Sequence, residues 1–281
     1  MAFWQAVILG IVEGITEFLP ISSTGHLTIV SALMGYEIDD AGVTAFTAVI
    51  QIGAIAAVIV FFWKDIIRLL AAWFRGLRDP EQRGTDYREA WIVIAGSIPI
   101  GLIGFALRHV ISGPLRNMWV IVGALVVWSF VMWYAERIGT QRRGEDKLNM
   151  RDAVVIGLAQ CIALIPGISR SGATISAGLF RGLDRVAATR VSFFLSIPSL
   201  LAAGAYQAIG EYGNIGHSVG WTATGIATVV SFIVAIVAIA WLLKLVAKRP
   251  ITVFVWYRLA LAAVVAVLLL TGVVSATGGA A

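Results

Sequence analysis

Long apolar stretches recur along this chain and restrict its fold more than any other feature. A helix needs about 20 mostly apolar residues to cross a hydrocarbon core of about 30 Å. Charged residues make up only 13% of the 281 residues, too few to cover so much apolar surface in water. The sequence therefore predicts an all-α polytopic membrane protein with six transmembrane helices. These spans are expected at about 43–63, 90–107, 117–136, 187–208, 221–246 and 253–275.

Two further apolar segments, 2–35 and 151–182, are interrupted by helix-breaking residues with Ser, Thr, His or Arg beside them. Irregular backbone inside a membrane survives only where protein or a wet cavity satisfies its polar groups. Each segment is therefore predicted to form a re-entrant helix-loop-helix hairpin. The breaks fall at Pro20, Gly25, Pro166, Gly167 and Gly172.

The two interrupted segments resemble each other at an offset of 147 residues. The matched pairs are Gly10 with Gly157, Glu13 with Gln160, Ser22 with Ser169, Ser23 with Arg170, Thr24 with Ser171, Gly25 with Gly172 and Gly35 with Gly182. We interpret residues 1–281 as one membrane domain made of two repeats, 1–137 and 151–281. Each repeat has one hairpin and three spans, and this odd number of crossings predicts that the second repeat is inverted.

Basic residues lie almost entirely on one side of this predicted topology. Six fall in the 63–90 connection, five in 137–151 and three in 244–250, against Arg108 and Arg116 on the other side. The positive-inside rule then places both termini on the outer side of a bacterial plasma membrane. Because the net charge of +5 comes from residues between apolar segments, nucleic acid is not expected as a partner.

Glu13 and Glu17 are four residues apart, so they share one face of a helix. Carboxylates inside an apolar segment usually serve a site, and two of them suit a divalent cation such as Mg²⁺ or Ca²⁺ beside substrate phosphates. The alternative is a carboxylate pair at the outer headgroups.

The first loop carries Ser22, Ser23, Thr24 and His26, and leads into a helix whose free amides attract anions. At a spacing of three residues, His26 can act as a general base for a Ser23 nucleophile. The alternative is that these hydroxyls only cap a broken helix.

The second loop has Arg170 where the first has Ser23, with Ser169, Ser171 and Thr174 around it. A guanidinium matches phosphate oxygens as a fork, although Arg170 could instead reach the interface or pair with a glutamate. Gln51, in the first full span, could bond to the loops or to another helix.

The strings from Glu13 to His26 and from Pro166 to Thr174 resemble the signature regions of the undecaprenyl-diphosphate phosphatase, or bacitracin-resistance, family. The resemblance extends to residues 46–53 and to Trp256-Tyr257-Arg258. It implies a membrane hydrolase that converts undecaprenyl diphosphate to undecaprenyl phosphate and phosphate. This reaction recycles the lipid carrier for peptidoglycan synthesis and confers bacitracin resistance.

The resemblance implies that Glu13 and Glu17 bind metal and diphosphate, and that Arg170 binds phosphate. Ser23 is then the nucleophile with His26 as base, or His26 is itself the nucleophile. Ser22, Thr24, Ser169, Ser171 and Thr174 become supporting hydrogen-bonding residues. Transport of a lipid phosphate is the competing hypothesis, because inverted repeats with broken helices are typical of transporters. The sequence leaves open whether the protein forms a homodimer.

Overall fold

The computed structural model describes residues 1–38, 40–113 and 115–277, without the side chains of residues 112 and 207–218. The described chain is helical, with two short 3₁₀ turns at Pro80–Gln82 and Glu145–Lys147. The helices found in these ranges are α1 (Phe3–Thr16), α2 (Ser23–Leu33), α3 (Ala41–Phe61), α4 (Trp63–Arg78), α5 (Thr85–Ala106), α6 (Arg108–Ser112), α7 (Met118–Ile138), α8 (Met150–Ile162), α9 (Arg170–Phe180), α10 (Arg185–Ser218), α11 (Trp221–Val246) and α12 (Thr252–Leu270).

Six helices in the described part of the chain are long and apolar enough to cross a membrane, as predicted from the sequence. They are α3, α5, α7, α11, α12 and the Arg185–Tyr206 part of α10. Each overlaps one predicted span, although α5 begins at Thr85, earlier than the predicted residue 90. The first turns of α5 are polar and form a helix because they pack against α4.

Both interrupted segments form a helix, a loop and a second helix. The first loop (residues 17–22) separates α1 from α2, and the second loop (residues 163–169) separates α8 from α9. In the second loop, Gly167 has a φ of +98°, a backbone conformation that residues with a side chain rarely adopt. The loops therefore contain the predicted breaks at Pro20, Pro166 and Gly167, whereas Gly25 and Gly172, also predicted as breaks, lie in the first turns of α2 and α9.

The 63–90 connection differs from the sequence interpretation, which treated it as a loop between spans. Residues 63–78 form α4, which begins two residues after α3 ends. Apolar residues recur at helical spacing through this stretch, and proline is absent from it, so a helix is the expected local structure.

Close helix packing brings the two interrupted segments into the core. The helix α1 packs against α11, and α8 packs against α5. A Cβ atom at Gly10 would lie 2.6 Å from the Ala227 carbonyl oxygen, and one at Gly157 would lie 2.5 Å from that of Gly96. The two glycines that match in the sequence thus allow equivalent backbone contacts, as small residues do between membrane helices.

Candidate active site

A serine caps the helix that follows each loop, and the two caps have the same geometry. Ser22 has a φ of +75° and accepts a hydrogen bond from the Gly25 amide at 3.3 Å. Ser169 has a φ of +62° and accepts one from the Gly172 amide at 3.2 Å. A non-glycine residue in this conformation stores strain and is found mainly where a site needs it. The residues that follow the two caps, Ser23 and Arg170, both contact Glu17.

Glu17 joins the two loops. One carboxylate oxygen, Oε1, accepts a hydrogen bond from Arg170 Nη2 at 2.9 Å, and this contact is also a salt bridge. The other oxygen, Oε2, accepts one from the Ser23 hydroxyl at 2.6 Å. Gln51 Nε2 donates a longer bond to the same oxygen at 3.4 Å. The glutamate-bearing and arginine-bearing segments therefore meet, and the Glu17 carboxylate contacts groups from both.

Glu13 and Arg170 each keep a buried polar atom without a partner among the described residues. Glu13 is 1% exposed and its Oε1 makes no hydrogen bond, and Arg170 Nη1 is likewise unpaired. Buried polar atoms are normally satisfied, and an orphan in a cluster often marks the place of a ligand or ion. The free Glu13 Oε1 could accept a cation, and the free Arg170 Nη1 could donate to an anion. Together they fit a ligand such as a phosphate group with a bound metal ion.

The expected pairing of His26 with Ser23 is wrong. His26 Nδ1 lies 2.7 Å from the Ser22 carbonyl oxygen, and His26 Nε2 lies 2.8 Å from the Tyr257 hydroxyl. A carbonyl only accepts, so Nδ1 carries a proton and donates to Ser22, while Nε2 is bonded to the Tyr257 hydroxyl. The imidazole sits in the first turn of α2 with its nitrogens turned away from Ser23, whose proton points at Glu17 instead.

The hydroxyls of the second loop connect it to the first. Ser171 Oγ donates to the Leu19 carbonyl at 2.9 Å, and Ser169 Oγ lies 3.1 Å from Ser171 Oγ. The two predicted threonines are placed differently. Thr174 donates to Ser192 on α10 at 2.6 Å, whereas the side chain of Thr24 is exposed. Ser169 and Ser171 thus fix the loops against each other, and Thr174 fixes α9 to α10.

Sequence reasoning missed the role of Arg258, which lies inside the last apolar span. Its side chain is 0% exposed, and it donates hydrogen bonds to the carbonyl oxygens of Pro20 at 3.3 Å and Gly167 at 3.0 Å. These two carbonyls occupy matching positions in the repeat, 147 residues apart. Arg258 also donates to Ser129 Oγ at 3.2 Å. It therefore bridges the two loops at equivalent points.

A charged residue within a span was the available signal for Arg258, because such residues are rare and usually functional. Tyr257 gave no comparable signal, since tyrosine is ordinary at the ends of spans. Its contact with His26 is visible only once α12 is placed beside α2, where the two rings stack at a centroid distance of 5.6 Å.

A buried anion pairs α8 with the end of α9. Asp152 Oδ2 lies 2.6 Å from Arg143 Nη2, and Asp152 Oδ1 lies 2.8 Å from Arg181 Nε. Burial on its own raises the pKa of Asp152, but hydrogen bonds from the two arginines outweigh burial and hold that pKa below its usual value. Gln5 occupies the matching position in the first repeat and accepts from the Tyr36 hydroxyl at 2.8 Å. In each pair of short helices, a polar contact thus joins the start of the first helix to the end of the second.

These observations define a multi-pass α-helical membrane protein with a buried cluster of carboxylates, serines and an arginine where two loops meet. The chain belongs to the family described as bacitracin resistance protein BacA, which it matches over residues 6–264. The family and the six apolar helices together make it a bacterial membrane protein.

Curated relatives cover nearly the whole chain. An "Undecaprenyl-diphosphatase 3" of Frankia casuarinae is 60% identical over 274 residues, which are 97% of this chain and 99% of the relative. An "Undecaprenyl-diphosphatase" of Cutibacterium acnes is 51% identical, covering 98% of this chain and all of the relative. An "Undecaprenyl-diphosphatase 1" of Streptomyces coelicolor is 54% identical and covers 96% of both chains. The resemblance found in the motifs is therefore confirmed over the full length.

Proposed function

We propose that this chain hydrolyses undecaprenyl diphosphate to undecaprenyl phosphate and inorganic phosphate at the cluster around Glu17. The observation that carries the proposal is the double contact of one carboxylate, with the Ser23 hydroxyl at 2.6 Å and Arg170 at 2.9 Å. A nucleophile, its proton acceptor and an anion-binding group are thus within reach of one phosphoryl group. The names of the relatives agree with this reaction. Release of the carrier lipid from its diphosphate form accounts for bacitracin resistance.

The reaction that this geometry supports has two steps. In the first, Ser23 Oγ bonds to the terminal phosphorus, its proton passes to Glu17, and the bridging oxygen leaves with undecaprenyl phosphate. In the second, the oxygen of water bonds to the phosphoserine phosphorus, the bond from phosphorus to Ser23 Oγ breaks, and phosphate departs with both water protons as dihydrogen phosphate. Ser23 recovers its proton from Glu17. Arg170 holds the phosphoryl oxygens in both steps, since positioning and charge neutralisation account for most phosphoryl-transfer catalysis.

His26 has a different place in this scheme from the one predicted. Both ring nitrogens are engaged, by Ser22 and by Tyr257, so the ring orients the first turn of α2. For His26 to serve as the nucleophile of the competing scheme, the Tyr257 hydroxyl would have to release Nε2. We therefore propose Ser23 as nucleophile and Tyr257 as the group that holds the His26 ring.

The donor set fits a divalent cation at Glu13 and Glu17, as the sequence predicts. Among the described residues the cluster supplies only two carboxylates, with the unpaired Glu13 Oε1 as the free ligand. Mg²⁺ commonly binds one or two carboxylates together with substrate phosphates and water, so the diphosphate would complete the coordination. When bound, the cation would neutralise part of the diphosphate charge.

We also propose that the two repeats are inverted and that the α1–α2 and α8–α9 pairs are re-entrant hairpins. These helices have 14, 11, 13 and 11 residues, each too short to cross a bilayer alone. The exchange of contacts supports the inversion, because α1 packs on α11 as α8 packs on α5. With the basic connections in the cytoplasm, both termini lie outside and the site opens outward.

Phosphate release by purified protein in detergent tests the hydrolase against the transporter. We expect wild type to release phosphate from undecaprenyl diphosphate in the presence of Mg²⁺, and chelation of divalent cations to reduce the rate. Ser23→Ala removes the nucleophile, so release should fall by about 10³-fold or more.

Ser199→Ala is the matched control, because the Ser199 hydroxyl bonds only to carbonyls of its own helix. Its rate should equal that of wild type. If Ser23→Ala hydrolyses the lipid as fast as Ser199→Ala does, serine is not the nucleophile. If wild type releases no phosphate in detergent, the transporter hypothesis replaces hydrolysis.

A further inference from the structure

Helix α4 carries two exposed stripes of different chemistry. With about 100° of turn per residue, residues spaced alternately by four and three align along one side of a helix. The first stripe is apolar, with 46–55% of each side chain exposed, and consists of Trp63, Ile67, Leu70, Phe74 and Leu77. The second stripe lies about a quarter turn away and is basic, consisting of Lys64, Arg68, Arg75 and Arg78.

The third side of α4 packs against the protein. Leu69, Ala72 and Gly76 are buried there, and a Cβ atom at Gly76 would lie 2.4 Å from the Tyr87 ring. Arg68 contacts Asp86, the neighbour of Tyr87. Two points of α4 that are eight residues, or about 12 Å, apart therefore contact adjacent residues in the first turn of α5. Trp73, between these two points, packs its ring 5.9 Å from that of Trp91, so α4 contacts the first two turns of α5.

This placement puts α4 where spans α3 and α5 leave the membrane. The helix has 16 residues and four of them are basic, so it does not cross the bilayer itself. A helix with a strong apolar stripe and a Lys/Arg-rich polar stripe is typical of helices that lie in the membrane interface. The contacts of α4 with the first two turns of α5 place it at the end of that span.

The basic stripe carries positive charges that are only partly neutralised within the protein. Arg68 is paired with Asp65 and Asp86, and Arg75 bonds to a carbonyl of its own helix. Lys64 and Arg78 have no partner among the described residues. Three of the four cations are therefore available to anions outside the protein.

We propose that α4 lies in the plane of the membrane interface, with its apolar stripe among acyl chains and Lys64, Arg75 and Arg78 on the phosphates of anionic phospholipids. Basic residues next to a transmembrane helix are attracted to anionic headgroups in this way. The proposal does not depend on the catalytic scheme, because none of these residues contacts the cluster around Glu17.

Lipid-dependent thermal stability tests the basic stripe on the purified full chain. Phosphatidylglycerol added in neutral detergent should raise the melting temperature of wild type more than phosphatidylcholine does. Inorganic phosphate, which the proposed active site also binds, should act equally on wild type and on the triple variant described next. The triple variant Lys64→Gln, Arg75→Gln, Arg78→Gln should lose at least half of that rise. The matched control replaces three exposed cations of another connection, Arg142→Gln, Lys147→Gln and Arg151→Gln, and should keep it.

An equal rise in both triple variants would overturn the proposal, and so would a rise with inorganic phosphate that the α4 triple variant loses. The depth of α4 gives a second measurement that leaves the basic stripe intact. In a Cys161→Ser background, a nitroxide on Phe74→Cys in phosphatidylglycerol vesicles should collide with oxygen more than with a water-soluble nickel complex. A nitroxide on Glu81→Cys, in the exposed turn after α4, should show the reverse.

Free access of nickel to the Phe74 label would mean that the apolar stripe faces water. Protection from both reagents, with spin–spin broadening between labels, would mean that a second copy of the chain covers it. Either result would contradict the proposal. Protection with spin–spin broadening would show instead that α4 forms a homodimer interface.

Discussion

The first and second loops share a backbone design and differ in chemistry. In each, a serine with positive φ caps the next helix by accepting from the amide three residues on. The residue after the cap is Ser23 in one loop and Arg170 in the other, and Glu17 matches Leu164. In the proposed reaction, the first loop region therefore supplies the proton acceptor and the nucleophile, whereas the second supplies the guanidinium group. We therefore propose that a duplicated scaffold has become one site, to which the two copies contribute complementary groups.

Glu17→Gln should have the largest effect on this division of labour. The amide cannot take the Ser23 proton and no longer neutralises Arg170, so both halves lose their common partner. General-base loss typically lowers rates by 10²–10⁴-fold, and we expect a fall in kcat/KM of about 10³-fold. Initial rates of phosphate release across a range of lipid concentrations measure it. The exposed Glu37→Gln should behave as wild type, and a loss in Glu17→Gln below tenfold would separate the glutamate from proton transfer.

Arg170→Lys tests the second half, and it should have a smaller effect. Lysine keeps the charge but not the planar fork that reaches Glu17 and phosphate oxygens together. Loss of one positioned donor to a developing anion typically lowers kcat by 10²–10³-fold, and we expect about 10²-fold. Steady-state phosphate release measures it, with Arg151→Lys as an exposed arginine control. Equal rates in the two variants would show that the site needs only a positive charge in the second loop.

The contact that joins the ends of α8 and α9 is an ion pair of Asp152, whereas the contact that joins α1 to the end of α2 is a neutral hydrogen bond. Only the stability that the ion pair contributes should depend on pH. The folded pKa of Asp152 lies below the unfolded value of about 3.9. Its contribution to stability is therefore complete above about pH 4 and is lost as pH falls through the folded pKa. Asp152→Asn should lower the free energy of unfolding at pH 7 by about 2 kcal/mol. This is below the range for a fully buried pair, because both arginines are partly exposed.

Melting temperatures between pH 7 and pH 3 check this expectation. The gap between wild type and Asp152→Asn should narrow as pH falls. Tyr36→Phe breaks the neutral Tyr36–Gln5 hydrogen bond of the first pair, and its smaller gap should stay constant over that range. A gap that stays constant in Asp152→Asn as well would mean that the ion pairs add no stability.

The spans and breaks were predictable from the sequence because membrane thickness and the chemistry of proline and glycine act locally. The contact between Glu17 and Arg170 was one of the alternatives that the sequence left open, because a buried guanidinium needs an anion nearby. The partner of Ser23 was not predictable. Spacing along α2 favoured His26, but the choice depends on how the chain turns between residues 17 and 22, which brings Glu17 back to Ser23.

Two other features depended on distant parts of the chain. Tyr257 reaches His26 across 231 residues, and no local pattern predicts that contact. The amphipathic pattern of α4 was present in the sequence, but its exposed apolar stripe became recognisable only when the opposite side proved to be packed on α5.

Gln160 gives the smallest and most selective test of the divergence between the loops, because it occupies the position of Glu13. It is 0% exposed, and neither amide atom has a partner among the described residues. If the second loop needs no ligand there, Gln160→Leu removes two unsatisfied polar atoms and should raise the free energy of unfolding by about 1 kcal/mol. Phosphate release should stay within twofold of wild type.

Gln51→Leu is the matched control, since Gln51 contacts Glu17. It should reduce phosphate release several-fold without raising the free energy of unfolding. Thermal unfolding and phosphate release on the same preparations separate the outcomes. If Gln160→Leu loses activity as Gln51→Leu does, Gln160 takes part in substrate binding. The second helix pair then contributes more to the site than the Arg170 guanidinium alone.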